Sequence, residues 1–302
     1  MTSKYSILLY HGVYSDKSEL SYKNSSGKHI SESEFSKQIK YVKENFNIIS
    51  LNQISDAIEG KIKLENDSVA ITFDDGFLNN YEVARPVLEK YKVPTTFYIS
   101  TGFIGSSDLM WTDKLESMIV KNYDSIINLD LGEIGSFSLK SINQNIKEFL
   151  GIKLKLKMLE DSHKNKILKD IEGQLKTKSE GHDLYKFMNW DQVREMNKSD
   201  LFDFGAHTVN HISLAKAPTS IMQQQITESI SDINKELGVN CNLFSYPEGQ
   251  EDDFNEEVIA FLKINNIKFC PTAIEGYNII GKTNPYYLKR FMVGFEKRPF
   301  PF

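Results

Sequence analysis

The stretch SVAITFDDG, Ser68–Gly76, decides the fold that we predict for this chain. Its first part, Val69–Phe73, is apolar and rich in β-branched residues without polar alternation, which is typical of a strand buried on both faces. Asp74, Asp75 and Gly76 follow at once. Two adjacent carboxylates at the end of a buried strand carry a desolvation cost that a bound cation would offset. The alternative is an ordinary Asp-Asp-Gly turn that ends a strand.

The segments on either side of this stretch predict an alternation of strands and helices. Strand-like apolar runs occur at Tyr5–Tyr10, Thr95–Ser100 and Leu201–Gly205, with amphipathic helical patterns between them. Such alternation favours parallel βαβ units and therefore an α/β fold. Further strands are predicted in the C-terminal part, at Asn242–Tyr246, Ile267–Cys270 and Leu288–Val293.

The region from Ile104 to about Lys186 breaks this alternation. It contains a strand-like stretch and a Lys- and Glu-rich, mainly helical part. We therefore predict a single domain over 1–302 with an inserted, mainly helical lobe at about 106–188. Outside the lobe, polar side chains follow predicted strand ends, where barrel enzymes carry their chemistry. These residues are His11, Asp74, Asp75, His207, His211 and Glu248.

Composition and the lengths of the apolar runs argue against nucleic acid as the main partner, a secretion signal and a membrane span. The chain has 302 residues and a net charge of −5, which argues against nucleic acid as the main partner. The apolar run Tyr5–Tyr10 is too short for a secretion signal, and no apolar stretch reaches the roughly 18 residues of a membrane span. The two cysteines, Cys241 and Cys270, form no disulfide framework. We expect a cytoplasmic protein.

A second motif, His207-Thr208-Val209-Asn210-His211, places two imidazoles four residues apart. On one helical turn they share a face, which is the spacing used to chelate a metal ion. Two histidines and one carboxylate with open positions describe a catalytic site for zinc or a similar divalent ion. The alternative is two structural histidines. The joint occurrence with Asp74 and Asp75, also after a strand, favours the metal site.

Taken together, the motifs TFDDG at Thr72–Gly76, HTVNH at His207–His211 and YPEG at Tyr246–Gly249 resemble those of the polysaccharide deacetylase superfamily (NodB homology, carbohydrate esterase family 4). The resemblance covers Tyr5–Gly105 and Trp190–Val293, but not the insertion. It implies a distorted (β/α) barrel of about seven parallel strands that removes N-acetyl or O-acetyl groups from sugars. It also implies one divalent metal ion, zinc first, with nickel, cobalt or manganese as other candidates.

The resemblance assigns roles by motif position. Asp75, His207 and His211 match the metal ligands of the family, and Asp74 matches the general base that takes a proton from the attacking water. The division agrees with the chemistry, because a carboxylate that does not ligate the metal can accept that proton.

One departure from the family pattern concerns the residue that orients the base. The third family motif commonly reads Arg-x-Pro-Tyr-Gly, and Ser245 stands where that motif has arginine. Arg290, near the end of the last predicted strand, is our candidate for orienting Asp74. An incidental surface ion pair is the alternative reading of Arg290.

The second departure concerns the general acid. The family carries a Leu-x-His motif near the C-terminus, but no histidine follows His211 in this chain. Leu8-Leu9-Tyr10-His11 ends the first predicted strand instead. This resembles the circularly permuted branch of the superfamily, which includes the exopolysaccharide de-N-acetylases. His11 is then the acid that protonates the leaving amine, and a structural strand-end histidine is the alternative.

Four residues are candidates for contact with the substrate. Tyr246, Pro247 and Glu248 belong to the third motif, and the backbone N–H of Glu248 can stabilise the oxyanion of the tetrahedral species. Trp111 is expected to line a sugar groove, because aromatic faces stack on pyranose rings, whereas Trp190 is expected in the core.

The resulting hypothesis is a metal-dependent hydrolase that removes an N-acetyl (or O-acetyl) group from an amino sugar in an oligosaccharide or glycan precursor. The first alternative is hydrolysis of another amide, such as a cyclic ureide or a formamide. The second is a catalytically silent carbohydrate-binding protein, against which the intact set of Asp74, Asp75, His207 and His211 argues.

Overall fold

A computed structural model describes residues 3–18, 24–122, 126–177, 182–293 and 300–302. The chain divides into two compact units. The sheet unit, as we call it, comprises Met1–Lys17, Gly27–Ser106 and Phe187–Phe302. The lobe comprises Ser18–Ser26 and Ser107–Lys186.

The elements follow the alternation that the sequence predicts. The strands are β1 Lys4–Tyr10, β2 Gly12–Tyr14, β3 His29–Ser31, β4 Asn47–Ile48, β5 Ser68–Phe73, β6 Thr95–Ile99, β7 Ile127–Asp130, β8 Ser136–Leu139, β9 Phe202–Ala206, β10 Asn278–Ile279 and β11 Phe291–Met292. The α-helices are α1 Glu32–Asn45, α2 Leu51–Ile58, α3 Arg85–Tyr91, α4 Trp111–Lys121, α5 Ile142–Lys157, α6 Asp161–Leu175, α7 Trp190–Met196, α8 Thr219–Leu237 and α9 Glu256–Ile264, and a π-helical turn, Asn80–Ala84, precedes α3.

The main sheet has the strand order β10-β1-β5-β6-β9, with β11 also paired to β1 and β4 to β5. All of these pairings are parallel except that of β10 with β1. In register, Tyr10 lies opposite Phe73, and Ile99 lies opposite Ala206. The carboxyl ends of β1, β5, β6 and β9 therefore meet at one edge of the sheet.

The central strand of this sheet is β5. Every residue of β5 is buried, as its unbroken apolar run predicts. The Phe73 ring stacks between Tyr10 at 5.2 Å and Phe97 at 5.2 Å between ring centres, and Phe35 of α1 meets it edge-on. This aromatic packing fixes β1, β5 and β6 beneath the edge from which Asp74 and Asp75 project.

The lobe has a core of its own. Helices α4, α5 and α6 pack with the antiparallel hairpin β7–β8. Its fully buried apolar side chains include Leu115, Ile119, Leu139, Phe149, Ile152 and Ile171.

The predicted α/β class with a mostly parallel sheet is confirmed, but two predicted strands are wrong. The segment Asn242–Tyr246 contributes only an isolated parallel bridge, Ala206 to Phe244, and the isolated bridge from Pro271 to Leu288 lies just after Ile267–Cys270. Prolines at 247 and 271 bound these segments, and proline cannot donate to a strand ladder. The last strand is also shorter than predicted. Within the described residues, no strand pairing closes the sheet into a barrel, and no helix there is long and apolar enough to cross a membrane.

Candidate active site

The candidate active site lies at the carboxyl-terminal edge of the parallel strands. The backbone N–H of Asp74, after β5, donates to the carbonyl of Tyr10 at 2.9 Å. The backbone N–H of His207, after β9, donates to the carbonyl of Ile99 at 3.0 Å. The backbone hydrogen bonding of the sheet thus continues to Asp74 and His207, and it fixes the positions of their Cα atoms.

The structure brings the predicted ligands Asp75, His207 and His211 together, and their role as ligands stays a prediction. The helical turn expected over 207–211 is wrong, because this segment is irregular and Thr208 and His211 have positive φ values. Their ligand atoms all lie within 4.8 Å of one another, and no other group of three or more His, Cys, Asp or Glu residues among the described residues does so. The Oδ1 atom of Asp75 lies 3.3 Å from Nε2 of His211 and 3.8 Å from Nε2 of His207. Two donors that each lie about 2.0–2.2 Å from one metal ion are roughly 3.0–3.5 Å apart, so the 3.3 Å separation fits a shared ion, and the 3.8 Å separation would have to shorten by a few tenths of an ångström.

Hydrogen bonding fixes the tautomer of His207. Its Nδ1 lies 2.8 Å from the carbonyl oxygen of Ser245, which can only accept, so Nδ1 carries the proton. The Nε2 atom therefore keeps its lone pair, and it lies 3.8 Å from Oδ1 of Asp75 and 3.9 Å from Oδ2 of Asp74. Burial lowers the pKa of His207, against the opposing effect of the Asp74 carboxylate. The lowered pKa favours the neutral imidazole, which is the form that ligates a metal.

The backbone of the site adopts conformations that side chains disfavour. Asp75, Thr208, His211 and Glu248 have φ values of 80°, 62°, 53° and 61°, all in the left-handed region. Such residues cluster at functional sites, where the surrounding structure enforces them. At Gly76, with φ 92°, an added Cβ would lie 3.0 Å from Ile99 Cγ2, which explains why glycine ends this motif.

Asp74 faces a different partner. The guanidinium of Arg290 forms a bidentate pair with it, with NH1 at 2.8 Å from Oδ1 and NH2 at 2.7 Å from Oδ2. Asp74 is 3% exposed and Arg290 1%, so the alternative of an incidental surface pair is wrong. Burial opposes the charged carboxylate, but Arg290 and the neighbouring His207 outweigh it and hold the pKa of Asp74 below its usual value.

His11 is half-buried after β1, and the carboxyl end of β1 lies beside that of β5. Its backbone carbonyl accepts a hydrogen bond from Nδ2 of Asn80 at 2.8 Å. Burial lowers the pKa of His11 to about 3, although the negative charge of Asp74 opposes this. His11 is therefore neutral at neutral pH in the unliganded protein.

The third motif turns sharply beside the site. Glu248 is half-buried, and an added Cβ on the next residue, Gly249, would lie 2.7 Å from the backbone nitrogen of Ala273. Tyr246 is a core residue: its ring stacks on Phe254 at 4.0 Å, and its hydroxyl donates to a backbone carbonyl. Contact of Tyr246 with a substrate would therefore be through its backbone, and Pro247 is likewise buried. Oxyanion stabilisation by the N–H of Glu248 stays a prediction.

The two tryptophans lie in different units. Trp111 begins α4 and packs, partly buried, against the lobe core, with the Lys164 ammonium 4.6 Å from its ring centre. Its role in a sugar groove stays a prediction. Trp190 begins α7 and is partly buried against the main core of the sheet unit, as expected.

Sequence reasoning missed the residues around the Arg290 guanidinium. Thr72 Oγ1, Ser245 Oγ and the carbonyl of Thr272 all accept hydrogen bonds from it. Of these residues, only Ser245 could have been singled out from the sequence, because it stands where the family motif has arginine.

Comparison with known proteins identifies the family. The model of the polysaccharide deacetylase family matches residues 61–128 and 139–269, more than half of the chain. The chain therefore belongs to the polysaccharide deacetylase family. The matched residues contain Asp74, Asp75, His207 and His211 but neither His11 nor Arg290, whose placement rests on the structure.

Particular relatives agree with this assignment. A poly-beta-1,6-N-acetyl-D-glucosamine N-deacetylase of Staphylococcus aureus is 34% identical over 93 residues, which is 30% of this chain and 32% of the relative, so the chain aligns with about a third of that protein's length. The fold resembles that of the Streptococcus pyogenes deacetylase PplD (TM-score 0.65, 18% identity, 98% of this chain and 95% of that one). It also resembles IcaB from Ammonifex degensii (TM-score 0.62, 20% identity, 96% and 92%).

Proposed function

We propose that this protein is a metal-dependent N-deacetylase acting on N-acetylated amino sugars of a glycan. One observation carries the proposal: the buried Asp74, paired with Arg290, lies directly beside the Asp75, His207 and His211 cluster. Amide hydrolysis of this kind needs a general base and a metal ion, and an ionised carboxylate next to a set of metal ligands would supply both.

Asp75, His207 and His211 would hold the metal ion. Two imidazoles and one carboxylate suit zinc, with nickel, cobalt or manganese as other candidates. A divalent ion at this position would polarise the acetyl carbonyl and lower the pKa of water. The trio leaves coordination positions for water and substrate, as catalytic sites do.

The remaining residues divide the proton chemistry. Asp74 would take the proton of the attacking water, because Arg290 keeps its carboxylate ionised and oriented. The backbone N–H of Glu248 would receive the negative charge that develops on the acetyl oxygen. His11 would deliver a proton to the leaving nitrogen, since an amine anion is too poor a leaving group.

The role of His11 sets a condition on the reaction. Its pKa of about 3 in the unliganded protein means that the imidazolium must form during turnover. The negative charge that develops on the acetyl oxygen raises the pKa of a nearby imidazole. The proton that Asp74 takes from the attacking water would therefore reach His11, directly or through solvent, only when the substrate is being attacked, and would then pass to the leaving nitrogen.

The relatives suggest the substrate. The Staphylococcus aureus relative is named for poly-beta-1,6-N-acetyl-D-glucosamine, and we propose a β-linked N-acetylglucosamine exopolysaccharide, or its precursor, as substrate class for this chain. Acetate release should be measured on a panel of N-acetylated glycans, O-acetylated glycans, cyclic ureides and formamides, with metal-stripped and metal-restored protein. Release from the N-acetylated glycans alone, restored by metal, is expected. Turnover of a ureide, or glycan binding without acetate release, would replace the proposal with one of the alternatives.

A further inference from the structure

The Arg290 guanidinium has all of its hydrogen-bonding capacity satisfied. Arginine carries five N–H donors, and here five acceptors match them. Nε donates to the carbonyl of Thr272 at 2.6 Å, and NH1 donates to Thr72 Oγ1 at 3.2 Å and to Asp74 Oδ1. NH2 donates to Asp74 Oδ2 and to Ser245 Oγ at 2.9 Å. The guanidinium plane, and with it the carboxylate plane of Asp74, has one orientation that satisfies all five bonds.

The Ser245 hydroxyl is itself oriented to accept. It donates its proton to the carbonyl of Pro271 at 3.4 Å, so its lone pairs face the guanidinium of Arg290. Ser245 is fully buried. A donor of Arg290 that lost this acceptor would stay unsatisfied in a buried environment, which is costly.

Ser245 also touches the metal-ligand side of the site. Its backbone carbonyl accepts the hydrogen bond from Nδ1 of His207 at 2.8 Å. One residue thus contacts both the arginine that holds Asp74 and a histidine of the metal-ligand set. The same position carries arginine in the third motif of the family, which this chain resembles.

We propose that Ser245 is a positioning residue that orients Asp74 through Arg290. The inference rests on the proposed function for its effect on turnover. Its structural content, the coupling of Ser245 to Arg290, does not depend on the identity of the substrate.

A double-mutant cycle tests the proposal. Ser245→Ala removes the hydroxyl but keeps the backbone carbonyl on His207. We expect kcat for acetate release to fall roughly tenfold, the effect of losing one hydrogen bond to a charged group, with KM and metal content unchanged. In an Arg290→Met background the same substitution should have no further effect, because Ser245 acts through Arg290. Ser229→Ala is the matched control: this serine is also fully buried, and its hydroxyl donates to the carbonyl of Ile226 within α8.

Three results would overturn the proposal: wild-type kcat in Ser245→Ala, the same loss of kcat in both backgrounds, or a loss of metal that accounts for the loss of turnover. The cycle is repeated with the midpoint of thermal unfolding, where Ser245→Ala should lower the midpoint only when Arg290 is present. If the wild-type protein releases no acetate, the proposed function fails, whereas the unfolding cycle still decides whether Ser245 and Arg290 are coupled.

Discussion

The two adjacent carboxylates of this site, Asp74 and Asp75, have equal burial and opposite surroundings. Each is 3% exposed, and each follows the same buried strand. Asp74 is held by a guanidinium whose five donors are all matched. Asp75 faces two imidazoles, and its Oδ1 lies 3.3 and 3.8 Å from their Nε2 atoms. We call these the base side and the metal side of the site.

The difference supports the two roles that we propose for this dipeptide. A permanent cation beside Asp74 keeps it ionised without the metal, and a carboxylate already bound in both oxygens by Arg290 is poorly placed to ligate an ion. Asp75 lies instead beside the imidazoles of His207 and His211, with which we propose that it holds a divalent cation. When two neighbouring carboxylates have different environments, their pKa values and their chemical roles differ.

The largest expected effect breaks the metal side. His207→Ala or His211→Ala removes one of three ligands, so stoichiometric metal and acetate release should be lost together. Metal content by elemental analysis and acetate release on the same samples check this. His163→Ala, an exposed histidine of α6, is the control and should change neither. Full metal occupancy in both site variants would contradict the ligand assignment.

The next effect breaks the base side alone. Asp74→Asn is nearly isosteric but cannot accept a proton, so turnover should fall by about 10²–10⁴-fold while the metal stays bound. Asp75→Asn, one residue away, is the matched variant and should lose the metal as well. The two variants are compared by metal analysis and kcat. Near-normal turnover in Asp74→Asn would place the base elsewhere.

A smaller effect sharpens the base side. Arg290→Lys keeps a positive charge but loses the planar fork and most of the five matched bonds. We expect kcat to fall by roughly 10–100-fold with unchanged metal content, because Asp74 loses its fixed orientation. Arg85→Lys is the control, since Arg85 forms partly exposed ion pairs with Glu89 and Glu195. Equal kcat in wild type and Arg290→Lys would show that charge alone suffices.

How far the sequence predicts this site depends on how close in the chain the residues lie. Asp74 and Asp75 are adjacent, and His207 and His211 lie within five residues, so each pair forms a readable motif. The cage around Arg290 joins residues 72, 74, 245 and 272 to residue 290, and the Asp74 contact spans 216 positions. Such contacts depend on sheet register and on the path of irregular segments.

In the fold, too, local sequence patterns predict some elements and miss others. The apolar runs that became β1, β5 and β6 are continuous and unbroken by proline, and their prediction was confirmed. The segments near Phe244 and Pro271 have a similar apolar content but contribute only isolated bridges. Pro247 and Pro271 bound these segments, and beyond that their hydrogen bonds to neighbouring segments are decided by tertiary packing.

The smallest expected effect is on the pH dependence of the free energy of unfolding in the metal-free protein. The folded pKa values of His11, about 3, and of His207 lie below the ordinary histidine value of 6.5. As the pH falls below 6.5 the unfolded state therefore takes up these protons first, and the free energy of unfolding should decrease towards acid pH. Asp74 acts at lower pH: its depressed pKa stabilises the fold above the ordinary value of 3.8, and this contribution is lost only as the pH falls below that value.

In His11→Gln the slope of unfolding free energy against pH between pH 6 and 4.5 should decrease by up to about 1.4 kcal/mol per pH unit, the contribution of one proton. Urea unfolding at a series of pH values measures the slope, with His163→Gln as the exposed control. An unchanged slope in His11→Gln would mean that His11 keeps an ordinary pKa in the folded protein, and the condition that it gains its proton only during turnover would no longer apply.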